Sequence, residues 1–206
     1  MIPGEFNMMS ISGPSRTALR SARRTVYISV LSFTAIIMIL VCRTDIVAET
    51  KSSDEYAVKA AFLYNFAKFI EWPAGSFSSE QSPLVICIAG QDPFNSRLDA
   101  FSSKTVSGRK ITVRRLSQME DHDACHILFI SRSEKGQIQT IINSIKNRNI
   151  LTVSDMTSFS RAGGIISLYM EEDRMRFEIN LSAAERTGLR ISSNLLALAR
   201  IFRESK

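Results

Sequence analysis

The chain has 206 residues, 45% of them hydrophobic and 22% charged, with a formal charge of +6. This is the balance of an ordinary globular protein, and the length allows one domain with an appendage. Five basic residues (Arg16, Arg20, Arg23, Arg24, Arg43) and only two acids (Glu5, Asp45) precede Glu49, so the remainder carries 21 basic against 18 acidic residues, about +3, with no long Lys/Arg run to argue for nucleic acid.

The N-terminal stretch has the layout of an export signal. Arg16, Arg20, Arg23 and Arg24 form a positive region, Thr25 to Cys42 is uncharged, and the apolar run covers Val26 to Val41. Ile46-Val47-Ala48 places a small residue just before Glu49 as a cleavage point. Residues 1–48 therefore read as signal peptide and leader, and 49–206 as the folded domain. An uncleaved signal anchor is the competing reading, because the apolar run approaches the length that spans a bilayer. Lipidation at Cys42 is disfavoured, since Ile39-Leu40-Val41 before it lacks small residues. Either main reading puts the folded part outside the cytoplasm.

From Asp54 to Ile70, apolar residues Val58, Phe62, Phe66 and Phe69 with Ala57 and Ala61 predict one helix, capped by Asp54 and ended by Trp72-Pro73. A polar linker follows over Phe77 to Ser82. Leu84 to Ala89 reads as a strand buried on both faces. Asp92-Pro93 opens a second helix running to about Phe101. Strands are then expected at Lys110 to Leu116, Cys125 to Ile130 and Ile150 to Val153, with a helix from Glu134 to Asn147. Ile165 to Met170 and Arg174 to Asn180 form a hairpin around Glu171-Glu172-Asp173. In its second arm Met175, Phe177 and Ile179 alternate with Arg174, Arg176, Glu178 and Asn180, leaving one face polar. Leu181 to Thr187 is a short helix stopped by Gly188, and Asn194 to Phe202 a closing helix with Leu195, Leu198, Ala199 and Phe202 against the core. The order of elements predicts an α/β fold: a single three-layer domain, a largely parallel sheet with helices on both faces and a C-terminal antiparallel hairpin.

No constellation argues for catalysis. His122 and His126 are four apart in Asp121-His122-Asp123-Ala124-Cys125-His126, but they run into an apolar strand where alternate side chains diverge, so no metal is expected. Gly90-Gln91-Asp92-Pro93-Phe94 has no phosphate-loop spacing, and no serine sits in a nucleophile elbow. No catalytic residue and no cofactor is expected. Past the leader only Cys87 and Cys125 remain. An even count in an exported chain favours a disulfide; two buried thiols on neighbouring strands are the alternative.

Two segments carry a family resemblance. Tyr64-Asn65-Phe66-Ala67-Lys68-Phe69-Ile70-Glu71-Trp72-Pro73 resembles the opening signature of the YfiR-like family, and Arg176-Phe177-Glu178-Ile179-Asn180 through Gly188-Leu189-Arg190-Ile191-Ser192-Ser193 to Leu198-Ala199-Arg200 is similar to its closing signature. The resemblance covers about residues 54–203. It implies a non-enzymatic periplasmic repressor that binds the periplasmic portion of an inner-membrane diguanylate cyclase, controlling cyclic-di-GMP and biofilm growth. It further implies sequestration by an OmpA-like outer-membrane lipoprotein and a homodimer. Cys87 and Cys125 match the family's first cysteine pair; a second pair would fall near Gly163–Tyr169, where this chain has no cysteine, so redox sensing that depends on it is not implied. Partner contact is expected from Arg176, Glu178, Asn180, Arg186 and Arg190, with the aromatic first helix (Tyr64, Trp72) as the alternative interface. The rival to a regulatory binding protein is a small-molecule receptor or an enzyme, with a site near Gly90–Phe94 and Ser131–Ser133 beyond the strand ends.

Overall fold

The computed structural model describes residues 55–117, 122 and 124–204. The leader, the Asp54 cap and most of the Asp121–Asp123 stretch lie outside the described residues.

Helix α1 occupies residues 55–69 and leads into the two-residue strand β1 (Ile70–Glu71). Its buried stripe is Lys59, Ala60, Leu63, Phe66 and Ala67. The expected face is thus rotated: Phe62 and Phe69 are only partly buried and Val58 is 44% exposed. Ala60, Leu63, Phe66 and Ala67 form a helical stripe of their own, and Lys59 lies beside it with its ammonium under the helix at Asp155.

Strands β2 (Leu84–Ala89), β5 (Ile127–Ile130) and β6 (Leu151–Ser154) are buried at every position. Continuous apolar runs of this length are what a central parallel sheet needs, since both its faces are covered. The main sheet has the order β10-β8-β7-β6-β5-β2-β4-β3, with β3 at Thr105–Val106, β4 at Arg109–Leu116, β7 at Ile166–Glu171, β8 at Arg174–Asn180 and β10 at Arg200–Phe202. The five strands from β7 to β4 are parallel; β8 runs antiparallel to β7, and β3 to β4. The hairpin turns at Glu172 and Asp173, both in the left-handed region (φ 48 and 57), the geometry that matches strand twist in a two-residue loop.

Alternate side chains divide the core in two. Ile86, Ile88, Ile127, Phe129, Val153, Leu168, Phe177 and Ile179 pack with α1. Val85, Cys87, Leu128 and Ile130 pack with Ile141, Ile142 and Ile145 of helix α3 (Ile138–Ile145). Helices on both faces of a mostly parallel sheet make the three-layer α/β domain that the element order predicts. On the α3 side a disulfide joins Cys87 of β2 to Cys125, which lies two residues before β5 rather than in the strand expected from Cys125, with Cα atoms 5.8 Å apart.

Several local expectations fail for identifiable reasons. The helix expected from Asp92 shrinks to α2 (Ser96–Asp99): Asp92 Oδ1 accepts from the Phe94 N–H as a cap does, but Asn95 turns to φ 52 and interrupts the chain before Ser96. Arg115 donates from Nε to Asp92 (2.7 Å), from Nη1 and Nη2 to Asp99, and from Nη2 to the Asn95 carbonyl. The Glu134–Asn147 helix begins as a 3-10 segment (Arg132–Gln137) before α3. Helix α4 (Leu181–Arg186) ends close to expectation, with Gly188 at φ 70. The closing helix is only α5 (Ser193–Leu196), capped by the Ser192 hydroxyl; Leu198 is 70% exposed. Residues 200–202 instead pair in parallel with β8, whose backbone donors and acceptors would otherwise form a bare edge. Strand β9 (Arg190–Ile191) pairs with β1, tying the end of α1 to the C-terminal segment.

Candidate functional site

The α3-side face of the sheet is covered unevenly. Over β2 and β5 it is apolar and lies under α3. From β6 outward it turns polar, because Thr152 and Ser154, then Ser167 and Tyr169, then Arg176, Glu178 and Asn180 occupy the alternate positions. Register aligns Ser154, Ser167, Glu178 and Arg200 in one row across β6, β7, β8 and β10. Directly paired residues share a sheet face, so this row is a continuous polar strip. Ser160, in the loop after β6, ties it together: its N–H donates to Ser167 Oγ (2.8 Å) and its hydroxyl to Glu178 Oε1.

Strand β7 pairs with β6 only at Ile166 and Ser167, yet continues to Glu171 with β8 alongside. This overhang and the loop 155–161 enclose a cleft of about 530 Å³, also lined by Glu55, Lys59, Arg132, Glu178 and Arg200. At its inner end lies a buried charge cluster. Lys59 Nζ contacts Asp155 Oδ2 and Glu55 Oε1, both at 2.5 Å, and the side chains of Lys59 and Asp155 are each 1% exposed. Tyr56 donates its hydroxyl to the same Asp155 oxygen (2.9 Å), and Arg132 Nε lies 3.3 Å away. Burial, followed by the Asp155 charge and hydrogen bond, pushes the Tyr56 phenol up to about 12. The three contacts from Lys59, Tyr56 and Arg132 converge on Oδ2, while Asp155 Oδ1 is buried without a hydrogen bond.

The expected partner-contact residues fall into separate groups. Arg176 is half exposed, 3.7 Å from Glu171. Glu178 is only 13% exposed, held by Ser160 and, at 3.4 Å, by Arg200. Asn180 is fully buried: it accepts from Ala183 N–H as the cap of α4 and donates to the Ser160 carbonyl and to Glu204. It therefore bears on a contact only by placing the turn that follows, not by offering its own side chain. Arg186 grips Glu204 with two bonds (2.6 and 2.9 Å), and these, with the Asn180 bond, hold the Glu204 carboxyl down to about 2. Arg190 sits elsewhere, on β9 opposite Glu71. Tyr64 stacks on Phe101 at 4.9 Å with Lys68 over its ring, and Trp72 packs edge-on to Phe77 and His126.

The rival location near Gly90 is filled. Gly90 adopts φ +83, and a Cβ there would collide with Ser133 Oγ and the Glu134 carboxylate; Ser133 Oγ accepts from the Gln91 N–H. Of the histidine pair, His126 reads structurally: its Nδ1 accepts from Val85 N–H (3.1 Å), Nε2 meets the Ser76 carbonyl (3.0 Å), and Phe77 stacks on the ring. Both ring nitrogens are thereby used, and burial, as the largest influence, lowers its pKa. Lys59, Asp155, Ser160 and Glu204 were not expected as site residues, whereas Arg132 falls in the Ser131–Ser133 part of the rival location and lines the cleft. A lysine inside an apolar helix stripe and an Asp just after a buried strand are the signals that point to the first two.

The arrangement is an α/β domain whose sheet carries a largely covered polar row on one half of one face, exposed at Arg176 and Arg200, beside a charged cleft. A family model described as YfiR/HmsC-like matches residues 56–200, and the chain belongs to that family. Among solved structures it is similar to a conserved domain protein from Vibrio cholerae, at 17% identity and a TM-score of 0.42, over 58% of this chain and 54% of that one. The chain thus spans about half the length of that protein. Family membership suggests a periplasmic regulator of diguanylate cyclase signalling.

Proposed function

We propose that this protein is a non-enzymatic periplasmic repressor that docks on the periplasmic portion of an inner-membrane diguanylate cyclase and holds it inactive. Residues 1–48 act as the export signal that delivers it. Sequestration by an OmpA-like outer-membrane lipoprotein relieves the repression, and the protein works as a homodimer. Family membership over 56–200 carries the reading. The polar half-face supports it, because a strip of alternating Arg and Glu gives a partner register and specificity more than raw affinity. Repression needs only that the docked state favour the inactive cyclase.

In this reading Arg176 meets the cyclase directly, while Glu178, Asn180 and Arg186 hold the strand and turn that present it. Arg190, Tyr64 and Trp72 form a second contact zone around the β1–β9 ribbon and α1. The test is a pull-down of the exported protein from membrane extract. Arg176→Glu keeps its melting temperature, since Arg176 is half exposed and only loosely paired, and loses cyclase capture at least tenfold. Undiminished capture, together with cyclase activity still restrained in cells, would remove Arg176 from the interface. Failure of the wild-type protein to capture any cyclase would remove the function.

A further inference from the structure

The cleft carries more polar chemistry than a structural joint requires. A buried ion pair is seldom the most stable filling for its volume; apolar side chains serve as well or better. Here Lys59 and Asp155 are desolvated together, and one Asp155 oxygen gathers every donor while the other has none. The residues lining the cleft count four cations (Lys59, Arg132, Arg161, Arg200) against three carboxylates (Glu55, Asp155, Glu178), one positive charge in excess. Arg132 and Arg200 are each engaged by an acid through Nε, at 3.3 and 3.4 Å, and are 62% and 65% exposed. Arg132 also donates from Nη2 to the Asp155 carbonyl (3.3 Å), so the donors each arginine has beyond these contacts are what a planar anion would meet. Ser158, in the wall loop, is held at φ 63, a backbone strain that such sites often store.

We propose that this cleft binds a small polyhydroxylated carboxylate, of the sugar-acid class. Its carboxylate lies between Arg132 and Arg200 and neutralises the excess charge. Its hydroxyls donate to Asp155, where a turn of the carboxylate offers the unpaired oxygen, and to the Ser160–Ser167 pair. An ammonium-bearing ligand is disfavoured, because Lys59 and Arg132 already flank Asp155. The Tyr169 ring and the exposed Met170 side chain supply the apolar wall against which a sugar ring packs. The binding claim stands apart from the repressor reading. One consequence does rest on that reading: Glu178 and Arg200 belong to both cleft and half-face, so ligand and cyclase binding are thermodynamically linked.

Titration calorimetry of the exported protein, with no partner present, tests this. Glucuronate and gluconate saturate one site, and acetate, glucose and glucosamine bind at least tenfold more weakly. Arg132→Gln/Arg200→Gln keeps its melting temperature and loses glucuronate binding at least tenfold; Ser167→Ala weakens it several-fold. No saturable binding by either sugar acid, equal binding of acetate or glucose, or an unaffected double variant would overturn the proposal. Because no cyclase is present, failure here leaves the docking reading standing, and failure of the pull-down leaves this one.

Discussion

Removing the disulfide should cost a large share of the domain's stability. Cys87 and Cys125 close a loop of 38 residues, and both are buried, at 0% and 4% exposure. In the chain-entropy model such a loop removes about 13 cal/mol/K from the unfolded ensemble, or about 4 kcal/mol at 25 °C. For a domain of this size that lowers the melting temperature by about 8–16 °C. With a urea m-value of about 2 kcal/mol/M, the midpoint falls by about 2 M. The assay is urea unfolding of wild type, Cys87→Ala, Cys125→Ala and the double variant, with and without reductant. Each single variant should lose nearly the whole effect, the double variant little more, and reductant should move only the wild type, because a single bond is broken in all four cases. A double variant within about 1 kcal/mol of wild type, or two single losses that add, would refute the reasoning.

Acid should weaken the fold through His126. Its folded-state pKa lies below the ordinary value, so the contribution is complete above about pH 6.5 and is lost as pH falls toward the lowered value. Melting curves between pH 7.5 and 5.5 should show a slope that His126→Asn flattens. Lys59→Met should destabilise by about 3 kcal/mol in chemical denaturation, because it leaves a buried carboxylate without its ammonium; Lys59→Met/Asp155→Leu should recover most of that. Gly164→Ala should cost about 1–3 kcal/mol by the same measurement, since the added methyl would collide with the buried Phe159 ring and overpack the site.

The central sheet was legible because its strands are short, continuous apolar runs that permit few other readings: Leu84–Ala89 and Ile127–Ile130 need burial on both faces. The hairpin was legible from alternation, and the turn from three consecutive acids. The C-terminus misled because Leu195, Leu198, Ala199 and Phe202 satisfy helical spacing, while Arg200-Ile201-Phe202-Arg203 equally satisfies strand alternation. Only the open flank of β8, a tertiary fact, decides between them. Asp92 misled differently: it makes the local bond to the Phe94 N–H, but Asn95 turns into the left-handed region before a helix can follow, and Arg115 holds the other oxygen from 23 residues away. The polar face of β8 was readable as a face, yet alternation says nothing of depth. Asn180 looks like Arg176 in pattern and differs in being sealed by Ser160 and Glu204. Sequence reading touched the cleft only at Ser131–Ser133, through Arg132, and missed its centre because Lys59 and Asp155 lie 96 positions apart.

Strand β10 has a consequence for how the molecule survives at high local concentration. Three residues at the very end of the chain shield a seven-residue strand that would otherwise invite another copy to add on. The shield is brief and bracketed by Arg200 and Arg203, so its own outer rim repels stacking by like charge. A protease that trimmed the tail past Ala199 would thus convert a shielded edge into a sticky template, long before it touched the core.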